Sequence, residues 1–515
     1  MTTYSSRDPR AARRDAHERA RHQNQIRVAS VLGAHGALFT SLRTGFLRQD
    51  DQLDEARLGP MFSVSRNAIR GALRLLAAEG VVSREPRNGT VVISAAEDVP
   101  LGTGLGWNES SYAGREVVVT EQRWIPSTPM TRYYLRTGSE WVHATELSDS
   151  YDGRPDLLYT RFTLTEGAWR PTVTGPQDGD FASLFRRTYG SPLAAVDCWV
   201  EATGADDRSA ARLRVPAGTP LIVKSRVLYS ADGVPREYSI SHYPAAHVVL
   251  SADVDSIDEP RPAGMPGTAG PALVPGAPRS GVLRRRSSID LHTELRAAIR
   301  EGLFAVGDRL DEEELADIFG TTRNTVRRVL AQLVAAGLVH RSRRGGTVVT
   351  SAVADYTLNA GMPYRPDERH RYRDECLASA TIPTPPFVAG LLQTDSPLVA
   401  LDEFLLYRDD RLMTAYLRYV EPSAAPRPLT SSRREDFQTL FTRAYGEPAG
   451  SLKHSLHAVR ADERVARRLG LPPGTILLLS ERVIHDVHGR PRELSHSYHL
   501  ATHVSLACHH ELSAA

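Results

Sequence analysis

The sequence has few of the residues that would support a disulfide framework, a membrane anchor or a uniformly basic surface. Its three cysteines, Cys198, Cys376 and Cys508, are widely spaced, which excludes a C-x-x-C metal motif and a disulfide-stapled small domain. No apolar run is long enough to cross a membrane and no signal peptide is recognisable, so we expect a cytoplasmic protein. Lysine occurs only at Lys224 and Lys453, and the formal net charge is +2, so any nucleic-acid surface must be local.

Length and composition divide the chain. At 515 residues it is too long for a single hydrophobic core, so several domains are expected. A stretch rich in proline and glycine, residues 255–283, cannot build a core and predicts a mobile linker. Residues 1–32 carry seven arginines. This arm can either track DNA phosphates or form a disordered terminus.

The clearest pattern lies between Leu291 and Val349. Apolar residues recur there at helical spacing in three consecutive segments and then alternate over two short strands. Thr322 is a suitable N-cap for the third helix, and Gly337 is well placed to end it. The segment predicts three helices followed by a two-stranded wing with a basic, glycine-containing turn.

The third predicted helix has an outer face of arginine and asparagine. In the major groove, arginine can bind guanine and asparagine can bind adenine, while a glycine-tipped basic hairpin can reach the backbone or the minor groove. The alternative is an ordinary solvated helix face, but the helices and the wing together favour DNA binding. The candidate DNA-binding residues here are Thr322, Arg323, Asn324, Arg327, Arg328, Arg344 and Gly346.

The same segment occurs twice. Residues 34–92 match it without a gap at an offset of 257. The corresponding candidates are Arg57, Ser65, Arg66, Asn67, Arg70, Arg87 and Gly89. Further downstream, Asp180–Phe185 matches Asp436–Phe441, and Asp232–Glu237 matches His488–Glu493. The chain is therefore one module written twice.

The repeated segment resembles the winged helix-turn-helix of GntR-type bacterial transcription regulators. The residues that carry this resemblance are Glu314-Leu315-Ala316, Phe319-Gly320, Thr322 to Arg328, Gly337-Leu338-Val339 and Gly345-Gly346-Thr347. The resemblance implies a DNA-binding head in each module.

The first head departs from the second. Gly59-Pro60 falls inside its second helix and predicts a kink, and Gly71 weakens its recognition helix. We therefore expect it to read DNA more weakly or differently. Neither head has the family's Leu-Pro-Ser-Glu-Arg segment, and an arginine contact from that helix is available at Arg57 but is replaced by Glu314 in the second head. The recognition helices also differ at Ala68, Ile69 and Gly71 against Thr325, Val326 and Arg328.

The segment after each head mixes strands and short helices. Strands are predicted over 116–123 and 157–164, helices over 181–189 and 206–213, and a hairpin over 221–243 that turns at Asp232-Gly233. This part resembles the UTRA effector domain of the HutC branch of the same family. The resemblance implies an α+β fold: two winged helix-turn-helix heads, each followed by a chorismate-lyase-like mixed domain with an antiparallel sheet.

One face of the last hairpin strand is polar at every second residue. Glu237, Ser239, Ser241 and Tyr243 share it, and Glu493, Ser495, Ser497 and His499 repeat it. In UTRA domains, this glutamate and the residue six positions later line the effector pocket, often with an arginine from an earlier strand. In the first module that arginine is predicted to be Arg161. In the second module the matching position is predicted to be Glu403, and Arg418 on the following strand is predicted to take the place of the arginine. Solvent-facing strand residues are the alternative.

The C-terminal part is rich in histidine, including His454, His457, His496 and His499. Metal binding is conceivable, but the spacing does not form a ligand set, so scattered surface histidines and no metal or cofactor are expected.

The predicted division is an arm (1–32), a first head (33–95), a first effector domain (96–254), a linker (255–283), a second head (284–352) and a second effector domain (353–515). We expect a non-enzymatic regulator, most simply a repressor, that binds operator DNA and a polar or anionic metabolite, as a monomeric pseudo-dimer or a homodimer. Two alternatives remain: a ligand-independent architectural or plasmid-maintenance DNA binder, and a chorismate-lyase-like enzyme.

Overall fold

The computed structural model describes residues 31–512 apart from internal gaps. These gaps are 86–88, 94–95, 102–114, 152, 165–180, 256, 258–287, 336, 343–344, 359–371, 423–436, 462–465, 467–468 and 473. Nearly all of the predicted basic arm, most of the predicted linker, and the candidates Arg87 and Arg344 therefore lie outside the described residues.

Module 1 comprises head 1 and sheet domain 1. The elements of head 1 are α1 (31–43), α2 (Glu55–Met61), α3 (Arg66–Glu79), β1 (Val82–Glu85) and β2 (Gly89–Val92). The elements of sheet domain 1 are β3 (Glu97–Pro100), β4 (Arg115–Pro126), α4 (Pro129–Tyr134), β5 (Trp141–Tyr151), β6 (Arg154–Thr163), α5 (Phe181–Tyr189), β7 (Leu193–Gly204), α6 (Asp207–Leu213), β8 (Pro220–Ser230), β9 (Pro235–Pro244) and β10 (Val248–Val254).

Module 2 repeats this order as head 2 and sheet domain 2. The elements of head 2 are α7 (Ser288–Arg300), β11 (Arg309–Leu310), α8 (Glu312–Ile318), α9 (Arg323–Ala335), β12 (Val339–Ser342) and β13 (Gly346–Val349). The elements of sheet domain 2 are β14 (Ala354–Thr357), β15 (Tyr372–Pro383), α10 (Pro386–Leu392), β16 (Leu398–Arg408), β17 (Arg411–Val420), α11 (Phe437–Tyr445), β18 (Ala449–Arg460), β19 (Ile476–Asp486), β20 (Pro491–Leu500) and β21 (Val504–Glu511).

Local sequence explains how the helices of the heads begin and end. Asp54 and Asp311 accept backbone N–H groups at the starts of α2 and α8, so an aspartate N-cap begins both helices. The recognition helices α3 and α9 are capped by Ser65 and Thr322, whose hydroxyls each accept an N–H at 3.2 Å. The predicted winged helix-turn-helix is thus present in both modules.

Head 1 keeps the geometry of head 2 despite its proline. The helices α2 and α8 both span seven residues, so Pro60, which removes one backbone N–H from the last turn of α2, does not shorten that helix. Gly71 has a packing role. A Cβ there would meet Val31 of α1 at 3.1 Å, so glycine allows the two helices to approach closely.

Each large sheet is completed by strands from the other module. Sheet 1 has the order β14-β21-β7-β8-β9-β6-β5-β4, and sheet 2 has the order β15-β16-β17-β20-β19-β18-β10-β3. The exchanged strands pair antiparallel with their hosts, with Leu506 opposite Val200 in sheet 1 and Leu250 opposite Leu456 in sheet 2. The two modules are therefore joined through backbone hydrogen bonds.

The heads are exchanged in the same sense. Head 1 shares a hydrophobic core with residues of sheet domain 2, including Leu417 and Leu479. Head 2 shares one with residues of sheet domain 1, including Phe162 and Ile240. A third core, with Tyr243 and Leu478, joins the two sheets. No helix among the described residues is long and apolar enough to cross a membrane.

Candidate DNA interface and effector pockets

The recognition helix of head 2 exposes its predicted DNA-binding residues. Arg323, Asn324, Arg327 and Arg328 are all exposed, and Thr322 is half-buried at the helix start. Glu312 of α8 holds Arg327 at 2.9 Å and Arg341 of the wing at 2.5 Å. These contacts hold the pKa of Glu312 below its usual range, mainly through the Arg327 hydrogen bond. The glutamate thereby orients two arginines on the exposed side of the head.

Head 1 contains the same arrangement. Glu55 binds Arg70 at 2.9 Å, Arg84 at 3.2 Å and Arg66 at 3.5 Å, and the Arg70 hydrogen bond is the main cause of its lowered pKa. Asn67, Arg57 and Ser65 are exposed. Among the described residues of head 1, the glutamate–arginine contacts thus match those of head 2, and a weaker head 1 stays a prediction.

The two recognition surfaces differ less than the aligned sequences indicate. Ala68, Ile69 and Gly71 are buried in head 1, and Val326 is buried in head 2. These positions belong mainly to the head cores. Exposed differences are Arg328, which stands where head 1 has Gly71, and Ala331, which stands where head 1 has Arg74.

The second strand of each wing begins with a glycine at positive φ, 76° for Gly89 and 72° for Gly346. A side chain there would be strained. At Gly346 a Cβ would also approach the Arg309 guanidinium at 3.0 Å. Both glycines belong to tight hairpins beside the recognition helices.

Three predicted effector residues of module 1, Arg161, Glu237 and Ser239, lie in a buried charged group together with Lys224 and Arg226, which were not predicted; this group is here called cluster 1. Arg161 and Arg226 lie 3.8 and 3.7 Å from the Glu237 carboxylate, which also accepts the Tyr159 hydroxyl at 2.5 Å. The ammonium of Lys224 lies 5.6 Å from the ring centroid of Tyr243.

The sheet register explains why these groups meet. Ser239 of β9 is directly opposite Arg161 on β6 and Arg226 on β8. Directly opposed residues share one face of a sheet, so two arginines flank one serine. Within the part of the chain that the structure describes, the buried Ser239 hydroxyl has no hydrogen-bond partner. A serine hydroxyl between two guanidinium groups can bind an anionic oxygen.

Module 2 forms the corresponding cluster 2, consisting of Asp402, Arg418, Arg482, Glu493 and Ser495. Ser495 lies opposite Arg418 and Arg482. These arginines approach Glu493 at 3.8 and 3.6 Å, but Arg418 is also held by Asp402 at 2.6 Å. Although burial alone lowers the pKa of Arg418, Glu493 and Asp402 raise it. Cluster 2 is therefore an internally neutralised network.

Two aligned positions produce the difference in charge. Thr145 in sheet domain 1, opposite Arg161, corresponds to Asp402, opposite Arg418. Lys224 corresponds to Ser480, because each lies opposite an equivalent residue of the last hairpin strand, Ser241 or Ser497. Among the described members, cluster 1 has three cations and one carboxylate, whereas cluster 2 has two of each.

One predicted residue lies elsewhere. Glu403 pairs with Leu417, which packs toward head 1, so Glu403 points away from Arg418 and Glu493. Burial raises the pKa of Glu403 to about 7. The match of Glu403 to Arg161 is wrong, because the register makes Arg418 the counterpart. His499 does lie on the cluster 2 face and binds the Thr414 hydroxyl at 2.9 Å.

Arg226 and Arg482 were not predicted, although the sequence contained the signal. A hairpin turning at Asp232-Gly233 places Arg226 opposite Ser239, and a turn at His488-Gly489 places Arg482 opposite Ser495. Counting back from each turn would have identified both arginines.

The C-terminal histidines are divided between the interior and the surface. His454, His457, His496 and His499 are buried, which corrects the expectation for these four, whereas His488 and His509 are exposed. Burial, the largest cause, lowers the pKa of both His454 and His499 to about 3. Among the described residues, no group of three histidine, cysteine or acidic side chains could hold a metal ion.

Comparison with known proteins agrees with this architecture. The family model for bacterial regulatory proteins of the gntR family matches residues 33–92 and 290–349, and the UTRA domain model matches residues 119–248 and 367–505. The HTH-type transcriptional regulator Rv0792c of Mycobacterium tuberculosis is 28% identical over 229 residues, which are 41% of this chain and 81% of that protein.

Two solved structures are also similar to parts of this chain. PhnF from Mycobacterium smegmatis is 22% identical and matches 42% of this chain and 97% of its own, with a TM-score of 0.30. The ligand-binding domain of a GntR-family transcriptional regulator from Bordetella bronchiseptica is 21% identical, with 28% of this chain and 89% of that chain covered and a TM-score of 0.24. The chain belongs to the GntR family of transcriptional regulators and carries two DNA-binding heads and two UTRA effector-binding domains.

Proposed function

We propose that this protein is a cytoplasmic, non-enzymatic repressor in which one polypeptide reads both halves of an operator and an anionic metabolite bound at cluster 1 controls the affinity for DNA. The strand exchange supports the first part. Because β21 completes sheet 1 and β10 completes sheet 2, both heads belong to one folded unit. Tethering gives the second head an effective concentration on the order of millimolar.

The operator need not be a perfect palindrome. In both heads a glutamate of the preceding helix binds an arginine of the recognition helix, so both heads are equipped to bind bases. They differ at Gly71 and Arg328, which lie at the same helical position. An asymmetric pair of half-sites would fit this difference, since an arginine can add a base contact that glycine cannot.

The charge of cluster 1 supports an anionic effector. Its three cations and single carboxylate surround a buried serine hydroxyl on one sheet face. A phosphate or carboxylate group would add negative charge beside these cations and accept a hydrogen bond from the Ser239 hydroxyl. Cluster 2 already contains that charge in Asp402, so we expect it to bind the same anion poorly.

The stoichiometry of the DNA complex tests the first part. Labelled DNA from upstream of the protein's own gene is titrated with the protein, and the mass of the complex is measured by light scattering. We expect one chain of 56.6 kDa per full operator. Two chains per operator, with each chain on one half-site, would refute the intrachain pseudo-dimer.

Thermal-shift screening with inorganic phosphate, sugar phosphates and dicarboxylates tests the second part. Arg226→Ala should abolish stabilisation by the active compound, and the matched variant Arg482→Ala should retain it. Thr145→Asp, which imports the carboxylate of cluster 2, should also abolish it. For ligand control of transcription, the active compound must bind the DNA-competent and DNA-incompetent states with different affinity.

The DNA titration with and without metabolites, and an assay for pyruvate, separate the two alternatives. A ligand-independent architectural or plasmid-maintenance protein would bind DNA without any metabolite changing its affinity. A chorismate-lyase-like enzyme would release pyruvate from chorismate.

A further inference from the structure

We propose that the surfaces of the two sheet domains on which the heads pack differ in charge and shape, so that each head fits only the sheet domain of the opposite module. This selectivity within the chain does not depend on DNA or effector binding. It rests on two independent differences between the interfaces, one of charge and one of shape.

The first interface, head 1 on sheet domain 2, is built around histidine and glutamate. Glu79, at the end of α3, contacts His35 of α1 at 3.0 Å and His457 of β18 at 3.4 Å. His35 also contacts the Tyr498 hydroxyl at 2.9 Å. The ring of Phe39 lies 4.1 Å from that of His457. All these groups are buried, so each needs the partner it has.

A second polar contact lies further along α1. Glu481 of β19 pairs with Arg43 and accepts the Thr40 hydroxyl. The same Thr40 hydroxyl lies 2.9 Å from His496 of β20. Head 1 therefore meets sheet domain 2 through one carboxylate of its own and one of the sheet, both beside histidines.

The second interface, head 2 on sheet domain 1, uses arginine and glutamate instead. Arg300 and Arg296 of α7 approach Glu201 of β7 at 3.2 and 3.5 Å. The Arg300 guanidinium lies 4.8 Å from the ring centroid of Trp199. Here Glu201 of the sheet meets two cations of the head, and Arg300 also binds Glu301 of its own head at 3.1 Å and lies 3.8 Å from Asp355 of β14.

Alignment of the modules shows the charge difference. Glu201 and His457 occupy the same place in β7 and β18, since they pair with the equivalent residues Val223 and Leu479. Arg296 corresponds to Phe39, and Glu79 corresponds to alanine at 336. Head 1 on sheet domain 1 would thus bury Glu79 beside Glu201 and would offer His35 and Arg43 to the two carboxylates, in place of the two arginines that Glu201 has in the native interface. Uncompensated buried charge is strongly unfavourable.

The reverse mismatch fails for a different reason. Head 2 on sheet domain 2 would place Arg296 against His457, without the carboxylate that Glu79 supplies. It would also clash. A Cβ at Gly36 of head 1 would meet His496 at 2.6 Å, and head 2 has Thr293 at the aligned position. Sheet domain 1 has Ile240 where sheet domain 2 has His496, and Ile240 packs in the core beneath head 2.

Residue exchanges in the full chain test this proposal. His457→Glu imports the residue of sheet domain 1 and places it beside Glu79. Amide hydrogen exchange of α1 should accelerate about 100-fold, as expected when a buried charge loses its partner. The equivalent helix α7 should keep its protection and serves as the internal reference. Adding Glu79→Ala should restore most of the protection of α1, because His35 can then pair with the new carboxylate.

The steric fit between Gly36 and His496 is tested in the same way. Gly36→Thr should expose α1 to exchange, and adding His496→Ile should restore it. His457→Ala serves as the control that removes the imidazole without adding charge, and it should cost less than His457→Glu. The proposal is overturned if the paired exchanges are no better protected than the single ones, or if α7 loses protection equally. The paired variants still test the proposal if a single variant fails to fold.

Discussion

Acid should destabilise this protein well above the pH at which its carboxylates titrate, because several histidines are buried in the neutral form. Burial is the main cause that lowers the pKa of His292, His454 and His499 to about 3, from an ordinary value of 6.5. The unfolded chain therefore binds more protons than the folded chain below pH 6.5. The stabilisation is complete above that pH and is lost as the pH falls toward 3.

The size of the effect follows from the difference between the assay pH and the histidine pKa in the unfolded chain. At pH 5 the unfolded histidine has passed its pKa by 1.5 units while the folded one remains neutral. At 1.36 kcal/mol per unit, each such histidine costs about 2 kcal/mol of folding free energy relative to pH 8. His499 offers a clean test, since the aligned residue in module 1 is Tyr243 and a tyrosine is accommodated at that place in the fold.

The assay is urea unfolding of the wild type, His499→Tyr and His340→Gln at pH 8 and pH 5, followed separately for the two modules by hydrogen exchange. His499→Tyr should lose about 2 kcal/mol less on acidification than the wild type. His340 is exposed on β12, so His340→Gln is the matched control and should behave as wild type. Equal losses for all three proteins would show that burial of His499 does not oppose its protonation.

Three further predictions follow from the heads and the exchanged strands. Arg327→Ala and Arg70→Ala should each weaken operator binding by about 1–3 kcal/mol in anisotropy titrations, since Glu312 and Glu55 hold both arginines alike; a loss confined to Arg327→Ala would restore the expectation that head 1 is weak. Gly346→Leu should reduce operator affinity through strain at φ 72° without lowering the melting temperature of sheet domain 2, and unchanged affinity would place the wing outside the groove. Oxidation with diamide should cross-link Cys198 to Cys508 within one chain, because these residues are directly opposed across β7 and β21. Directly opposed residues have a Cα separation that a disulfide can span. Peptide mapping that finds Cys376 in the product instead would contradict the strand exchange.

Much of the local structure could be predicted because it depends on neighbouring residues. Period-two alternation and the Asp232-Gly233 turn predicted the hairpin that became β8 and β9. The capping hydroxyls of Ser65 and Thr322 predicted where the recognition helices begin. The helix predicted over 181–189 is α5.

The long-range arrangement could not be predicted in the same way. The exchange of β10 and β21 depends on a choice between two nearly equivalent sheet edges, and alternation along a strand carries no information about which edge it joins. The buried histidines were misjudged for a related reason. His457 and His496 face a head from the other module, so nothing in their own segment reveals that they will be covered.

Fusion of the two modules explains how their interfaces could differ at all. In a symmetric dimer of identical chains, every substitution appears on both sides, so a residue such as Glu79 must be acceptable at both equivalent interfaces. In this chain each docking face meets one head only. A glutamate–histidine contact can therefore replace an arginine–glutamate contact at one interface while the other stays unchanged. The same freedom applies to the charged clusters: Asp402 adds a second carboxylate to cluster 2, whereas cluster 1 has Thr145 at that position. Divergence of the effector sites and divergence of the docking faces thus have one physical origin, the loss of the symmetry constraint.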